Sequence, residues 1–126
     1  MAHALRERPD SEDTWTALRH AVRPAVTLIE DDPATGLARL DLVWSTPALW
    51  ARLHEKQATW RAGLAALLVE RAAGSQLRRI AVQTLVMAAL GCVIVAYDGW
   101  VESGGAERLG DLVEDAFAAL APGTLR

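Results

Sequence analysis

Apolar residues recur every three or four positions along most of this chain, and proline and glycine cut the rhythm into separate helices. From Thr14 to Ile29 the positions Trp15, Leu18, Val22, Val26 and Ile29 share one helical face. Asp10 or Ser11 is placed to cap that helix, and Pro24 interrupts it. The run Glu30-Asp31-Asp32-Pro33 ends it. A short helix from Ala34 to Trp44 follows, with Leu37, Leu40 and Trp44 on one side. Ser45-Thr46-Pro47 is a strong start signal, because Thr46 can cap and Pro47 suits the first helical position. One long helix is then expected from Pro47 to Ala73, with Leu49, Leu53, Gln57, Trp60, Leu64, Leu67 and Leu68 on its apolar face and Gly74 closing it. Ser75 is placed to cap the next helix, which runs to Glu102 and stops at Ser103-Gly104-Gly105. The last, Ala106 to Leu120, carries Leu109, Leu112, Val113, Ala116, Phe117 and Leu120, and Pro122-Gly123 ends it. Ahead of all these, Ala2 to Arg8 reads as a helix tail cut by Pro9. The pattern predicts an all-α fold with five main helices, in one domain over residues 1–126.

One segment breaks the amphipathic rule. Ile80 to Tyr97 is eighteen residues without a charge and is apolar on nearly every face, so this helix must be buried all round, by protein or by lipid. Three features argue against lipid. Gln83 and Thr84 interrupt the run, while Gly91 and Cys92 weaken its centre. The flanking aromatics, Tyr97 and Trp100, stand at one end only. The other helices also offer apolar stripes that need a common core. Within the segment, Ala81, Thr84, Ala88, Gly91, Cys92 and Gly99 cluster on one side, where small residues admit a second backbone. Val82, Val86, Ala89, Val93 and Trp100 lie opposite. A helix packed on both sides suits the middle of a bundle. With the final helix antiparallel beside it, two copies would build an intermolecular four-helix bundle. The expected homodimer interface comprises Ala88, Gly91, Val95, Leu109, Leu112 and Phe117.

Composition narrows the function. Hydrophobic residues make up 52% and charged residues 23% of 126, which fits a folded domain rather than a disordered chain. A net charge of −3 supplies no basic stripe of the kind that grips nucleic acid. Cys92 is the single cysteine, so no internal disulfide forms, and the charged N-terminus has no apolar signal region. Both point to the cytoplasm.

Catalytic and metal chemistry find little support. His54-Glu55 opens like a zinc motif, but Ala58 stands where the second histidine belongs. His3, His20 and His54 share no ligand spacing, and no nucleophile turn or phosphate-cradling glycine loop is present. No enzyme activity, cofactor or metal is expected. Cys92 reads as a small core residue. The five tryptophans are more distinctive. Trp15, Trp44 and Trp60 fall on inward faces of three helices and, with Gln57 and Leu64, are candidates to line an apolar ligand pocket; ordinary core packing explains the same positions. Gln57 on an apolar stripe and Gln83 in the charge-free helix need hydrogen-bond partners, which a ligand or a neighbouring side chain supplies, or, for Gln83, simple exposure to water.

The order of helices resembles the C-terminal ligand-binding and dimerisation domain of TetR-family transcriptional regulators, particularly the actinobacterial type. The opening Thr46-Pro47-Ala48-Leu49-Trp50-Ala51-Arg52-Leu53 and the ending Leu112-Val113-Glu114-Asp115-Ala116-Phe117-Ala118-Ala119-Leu120 carry the resemblance most clearly. It implies a helical sensor that encloses a small apolar or amphipathic molecule and dimerises through its last two long helices. It also implies that ligand shifts the spacing of two DNA-reading heads, a choice between two dimer geometries. The helix-turn-helix module that bears such heads is missing from this sequence, and Ala2 to Arg8 reads as the end of the helix that links the two modules. The chain is therefore expected to be an isolated sensor domain that meets DNA only through that absent N-terminal half, with no membrane partner. A stand-alone helical dimeric carrier or interaction protein is the alternative.

Overall fold

The computed structural model describes residues 1–71 and 78–121. It contains α1 (Ala2–Arg6), α2 (Thr14–Glu30), α3 (Pro33–Ser45), α4 (Pro47–Arg71), α5 (Arg79–Glu102) and α6 (Leu109–Ala119), and no strand among the described residues. The five expected helices are α2 to α6, and the expected tail is a separate short helix that ends two residues before the predicted boundary.

The caps show how local chemistry sets the ends. Asp13, rather than Asp10 or Ser11, caps α2: its side chain accepts from the Thr16 amide at 3.0 Å and from the Thr16 hydroxyl at 2.6 Å. Asp32 repeats the device for α3 with Thr35, at 3.3 and 2.7 Å, and Pro33 takes the first helical position. The acidic run thus ends one helix and starts the next. Hydrogen bonds from threonine hold both carboxyls below their usual range. Pro47 opens α4 as expected, with the Trp50 amide bonded to the Thr46 carbonyl at 3.0 Å. The expected stop and start at Ala73, Gly74 and Ser75 lie outside the described residues, as does Pro122-Gly123. Helix α2 runs on through Pro24, which is exposed.

The break after α5 is real and demands glycine. Gly104 and Gly105 take φ values of +65° and +78°, and their amides return to Val101 and Trp100. Residues 106–108 belong to that turn, because the buried Trp100 donates its indole N–H to the Glu107 carbonyl at 3.0 Å. This moves the start of α6 from Ala106 to Leu109.

Helix α5 is the spine. It packs against α2, α3, α4 and α6, while α1 lies on α2 and α4. Val82, Val86, Ala89, Leu90, Val93, Ala96, Tyr97 and Trp100 are buried along it, meeting Leu18, Val22 and Val26 of α2, Leu64 and Leu68 of α4, and Leu109, Val113 and Phe117 of α6 in one core. By length and composition alone α5 could cross a membrane; 44% of its apolar window is buried within the chain, against four other helices.

Two glycines give opposite expectations. A Cβ at Gly36 in α3 would lie 2.6 Å from Ile29 Cγ2 and 3.2 Å from its carbonyl, so the α2–α3 corner closes only over glycine. A Cβ at Gly63 in α4 meets nothing within 4 Å. Gly36→Ala is expected to lose about 1 kcal/mol or more, overpacking outweighing its gain in helix propensity. Gly63→Ala should gain about 0.5–1 kcal/mol. Chemical denaturation of both variants checks the pair, and equal shifts would mean that the corner yields freely.

Candidate functional site

The spine helix is covered on three sides and open on the fourth. Ile80, Thr84, Met87, Gly91 and Val95 recur every three or four residues along α5 and are exposed, Ile80 and Val95 by about two thirds. No charge enters this stripe until Asp98. It runs between two neighbours. On one border Arg61 of α4 donates to the Met87 sulfur at 3.2 Å. On the other the Cys92 thiol reaches the Ala116 carbonyl of α6 at 3.5 Å. A Cβ at Gly91 would meet nothing within 4 Å.

Along the α4 border the stripe widens into a groove of about 700 Å³, lined by Arg61, Ala62, Ala65, Ala66, Val69, Arg79, Gln83 and Met87. Small side chains on α4 create it. Ala62, Ala65 and Ala66 cannot fill the space between two helices that longer residues would close. Arg61 and Arg79 are exposed, and neither joins an ion pair among the described residues. The groove therefore offers an apolar floor with polar heads.

The expected pocket residues do not meet. Trp15 packs on Phe117, ring centroids 4.8 Å apart, and donates to the Phe117 carbonyl at 3.2 Å. Trp44 stands edge-on to Trp50 at 4.9 Å and to Tyr97 at 6.5 Å, and its N–H bonds Asp98 at 2.7 Å. Leu64 is fully within the core, Gln57 is half-buried, and Trp60 is 37% exposed. None of the five lines the groove. Leu64 faces inward as expected, whereas Trp60 is turned to solvent, and Trp15 and Trp44 pack on different neighbours, so shared direction along each helix does not produce a shared cavity. Of the groove residues the sequence singled out Gln83 alone; the others escaped because alanines carry little hydrophobic signal. The cluster Ala62-Ala65-Ala66 on the side of α4 away from its leucines was the available clue.

The expected interface residues also divide. Gly91 and Val95 lie on the open stripe, and Ala88 is half-buried at its edge beside α6. Leu112 is half-buried. Leu109 and Phe117 are each 1% exposed and belong to the chain's own core. Their periodic face is the inward one, turned toward α2 and α5 rather than out of the chain.

The remaining candidates are structural. His54 sits against the Trp50 ring, centroids 4.5 Å apart, with Nδ1 3.0 Å from the Trp50 carbonyl. His20 is held below its ordinary pKa by burial and then by Arg8. Burial pushes the Cys92 thiol up and the Tyr97 hydroxyl up to about 12, so both are neutral near pH 7. Among the described residues no group of three His, Cys, Asp or Glu is placed to hold a metal. The cleft between α2 and α6 is occupied by ion pairs of Arg19 and Arg23 with Glu114, at 3.5 and 3.0 Å, and of Arg108 with Glu30, at 3.6 Å.

Helix order, the Pro47 start and the paired last helices can be set beside known families. Residues 12–125 match the family described as the MftR C-terminal domain, a C-terminal domain of TetR-type regulators. The chain belongs to this family. The match opens just before the Asp13 cap of α2, so the TetR-type domain comprises α2 to α6, with α1 in front of it. No curated protein and no solved structure matches the chain.

Proposed function

We propose that this chain is the small-molecule-sensing and dimerisation half of a TetR-like transcriptional regulator, acting on DNA through a separate N-terminal half and working in the cytoplasm. The observation that carries the reading is the exposed, charge-free stripe of α5, from Ile80 to Val95, in a chain that is otherwise well charged. Solvent-facing apolar surface on that scale belongs at a contact. At 1.5 Å per residue the 24-residue α5 spans about 36 Å, and with α6 beside it the face suits the roughly 800 Å² that each partner of a stable dimer buries. Small residues at Thr84, Ala88 and Gly91 favour close helix approach there.

The groove between α4 and α5 is the ligand site in this reading. An apolar body rests on Ala62, Ala65, Ala66 and Val69, and a polar end faces Arg61, Arg79 or Gln83. Met87 and Gln83 belong to both the groove and the border of the dimer stripe, so occupancy and dimer geometry are coupled through shared side chains. Sensing of this kind needs no bond-making step, and the chain is read as a binding protein rather than an enzyme.

Native mass spectrometry of the purified chain, repeated under denaturing conditions, tests the reading. The expected result is a dimer, with extra mass that is lost on denaturation when ligand is retained. A bare monomer at micromolar concentration would overturn the dimerisation role. Ala66→Phe, which fills the groove, is expected to lower the occupancy of any retained ligand at least about tenfold while the dimer persists. Unchanged occupancy would place the ligand elsewhere.

A further inference from the structure

Arg71, the last described residue of α4, is the least exposed guanidinium among the ion-paired arginines, with 10% of its side chain accessible. It does not act mainly through a carboxylate. Its Nη1 donates to the Arg8 carbonyl at 3.0 Å, and its Nη2 donates to the carbonyls of Pro9 and, at 3.2 Å, Glu12. Asp10, 4.0 Å away, is almost wholly exposed and contributes little. One planar fork therefore gathers three backbone oxygens of the turn that joins α1 to α2, a geometry that suits arginine and not lysine. The same turn is closed from within by Arg8 Nε on Glu12 at 2.8 Å. Next to it the buried Leu5 of α1 borders Leu67 and Arg71.

Helix α4 is thus two-faced over its last turns. Leu67 and Arg71 hold α1, while Ala62, Ala65, Ala66 and Val69, on the same turns, line the groove. A hydrogen-bonded helix moves as a rod, so a side chain or ligand that pushes on one face displaces whatever the other face holds. We infer that Arg71 is a positioning residue that ties α1 to α4, so that what fills the α4/α5 groove sets the placement of the chain's first helix. This rests on the reading of the groove as the sensor site. It adds the route by which occupancy leaves the domain, through the C-terminal turn of α4 and the three carbonyls of residues 8–12.

Amide hydrogen exchange on the full chain tests this with Ala66→Phe as a built-in groove occupant. In Arg71→Ala, amides of residues 2–12 are expected to exchange at least about tenfold faster while those of α5 and α6 keep their rates. Arg71→Lys, which keeps the charge but not the fork, separates anchoring from a general loss of fold and should show the same local loss in smaller measure. Ala66→Phe should change exchange in residues 2–12 when Arg71 is present and leave them unchanged in the Arg71→Ala background. Undisturbed α1 amides in both Arg71 variants would overturn the anchor. An anchor that holds, with no response of α1 to Ala66→Phe, would overturn the route. The retained-ligand measurement reports on the groove itself and fails separately.

Discussion

Val95→Glu is expected to yield a folded monomer, where the parent chain is expected to be a dimer. Val95 is 66% exposed on α5 and lies outside the core, so the single-chain fold loses little by the change. In a two-fold dimer the same substitution enters the contact twice, and two carboxylates are pressed into a seam otherwise free of charge. Desolvation and like-charge repulsion together cost roughly 4 kcal/mol, about a thousandfold in Kd. Light scattering behind size-exclusion chromatography gives the mass, and circular dichroism reports the helices. A Val95→Glu chain that stays dimeric would move the seam off this face.

Phe117→Ala should do the reverse. Its ring is 1% exposed and lies against Trp15, at the meeting of α2, α5 and α6. Removing it leaves a cavity that cannot collapse without shifting two helices, at a cost of roughly 3–5 kcal/mol. For a chain of this size that corresponds to a fall in Tm of about 11–19 °C. Trp15 keeps its hydrogen bond, since the acceptor is the backbone carbonyl of residue 117, so its fluorescence still follows unfolding. The parent and the variant, compared by urea titration at several protein concentrations, should differ in stability by the same amount at each. A deficit that vanished when the chain was diluted to monomer would mean that Phe117 serves an interface after all.

The contrast between these two residues marks how far periodicity can be read. Spacing alone grouped Val82, Val86, Ala89, Val93 and Trp100 on one side of α5, and all are covered, although it expected cover on the opposite side as well. It located the breaks at Pro47 and at Gly104-Gly105 because both rest on backbone chemistry that one or two residues decide. It could not say what lies opposite a face. Leu109 and Phe117 form a sharp stripe whether that stripe meets α5 of its own chain or of another, and the two cases differ only in tertiary placement. The candidate site was hidden for a related reason: a groove is made by missing atoms, and Ala62, Ala65 and Ala66 register in a sequence as unremarkable helix. Arg71 was equally silent, since a guanidinium that bonds carbonyls leaves no complementary acid in the sequence to point to it.

The turn at Gly104 and Gly105 has a further consequence. Trp100 is fixed in the core and bonds the far side of that turn, the Cys92 thiol reaches the Ala116 carbonyl along the pair, and α5 and α6 share the core between them. The two helices are therefore joined as one plate, tied at the turn and along their length. Two such plates meeting on a stripe that bears Thr84, Ala88 and Gly91 carry few tall side chains to interlock as gear teeth at those positions. Changes of geometry between copies would then take the form of a slide or pivot of whole plates. A few degrees at the seam becomes a displacement that grows with distance from it, in the way that a small turn of a hinge pin swings a long door.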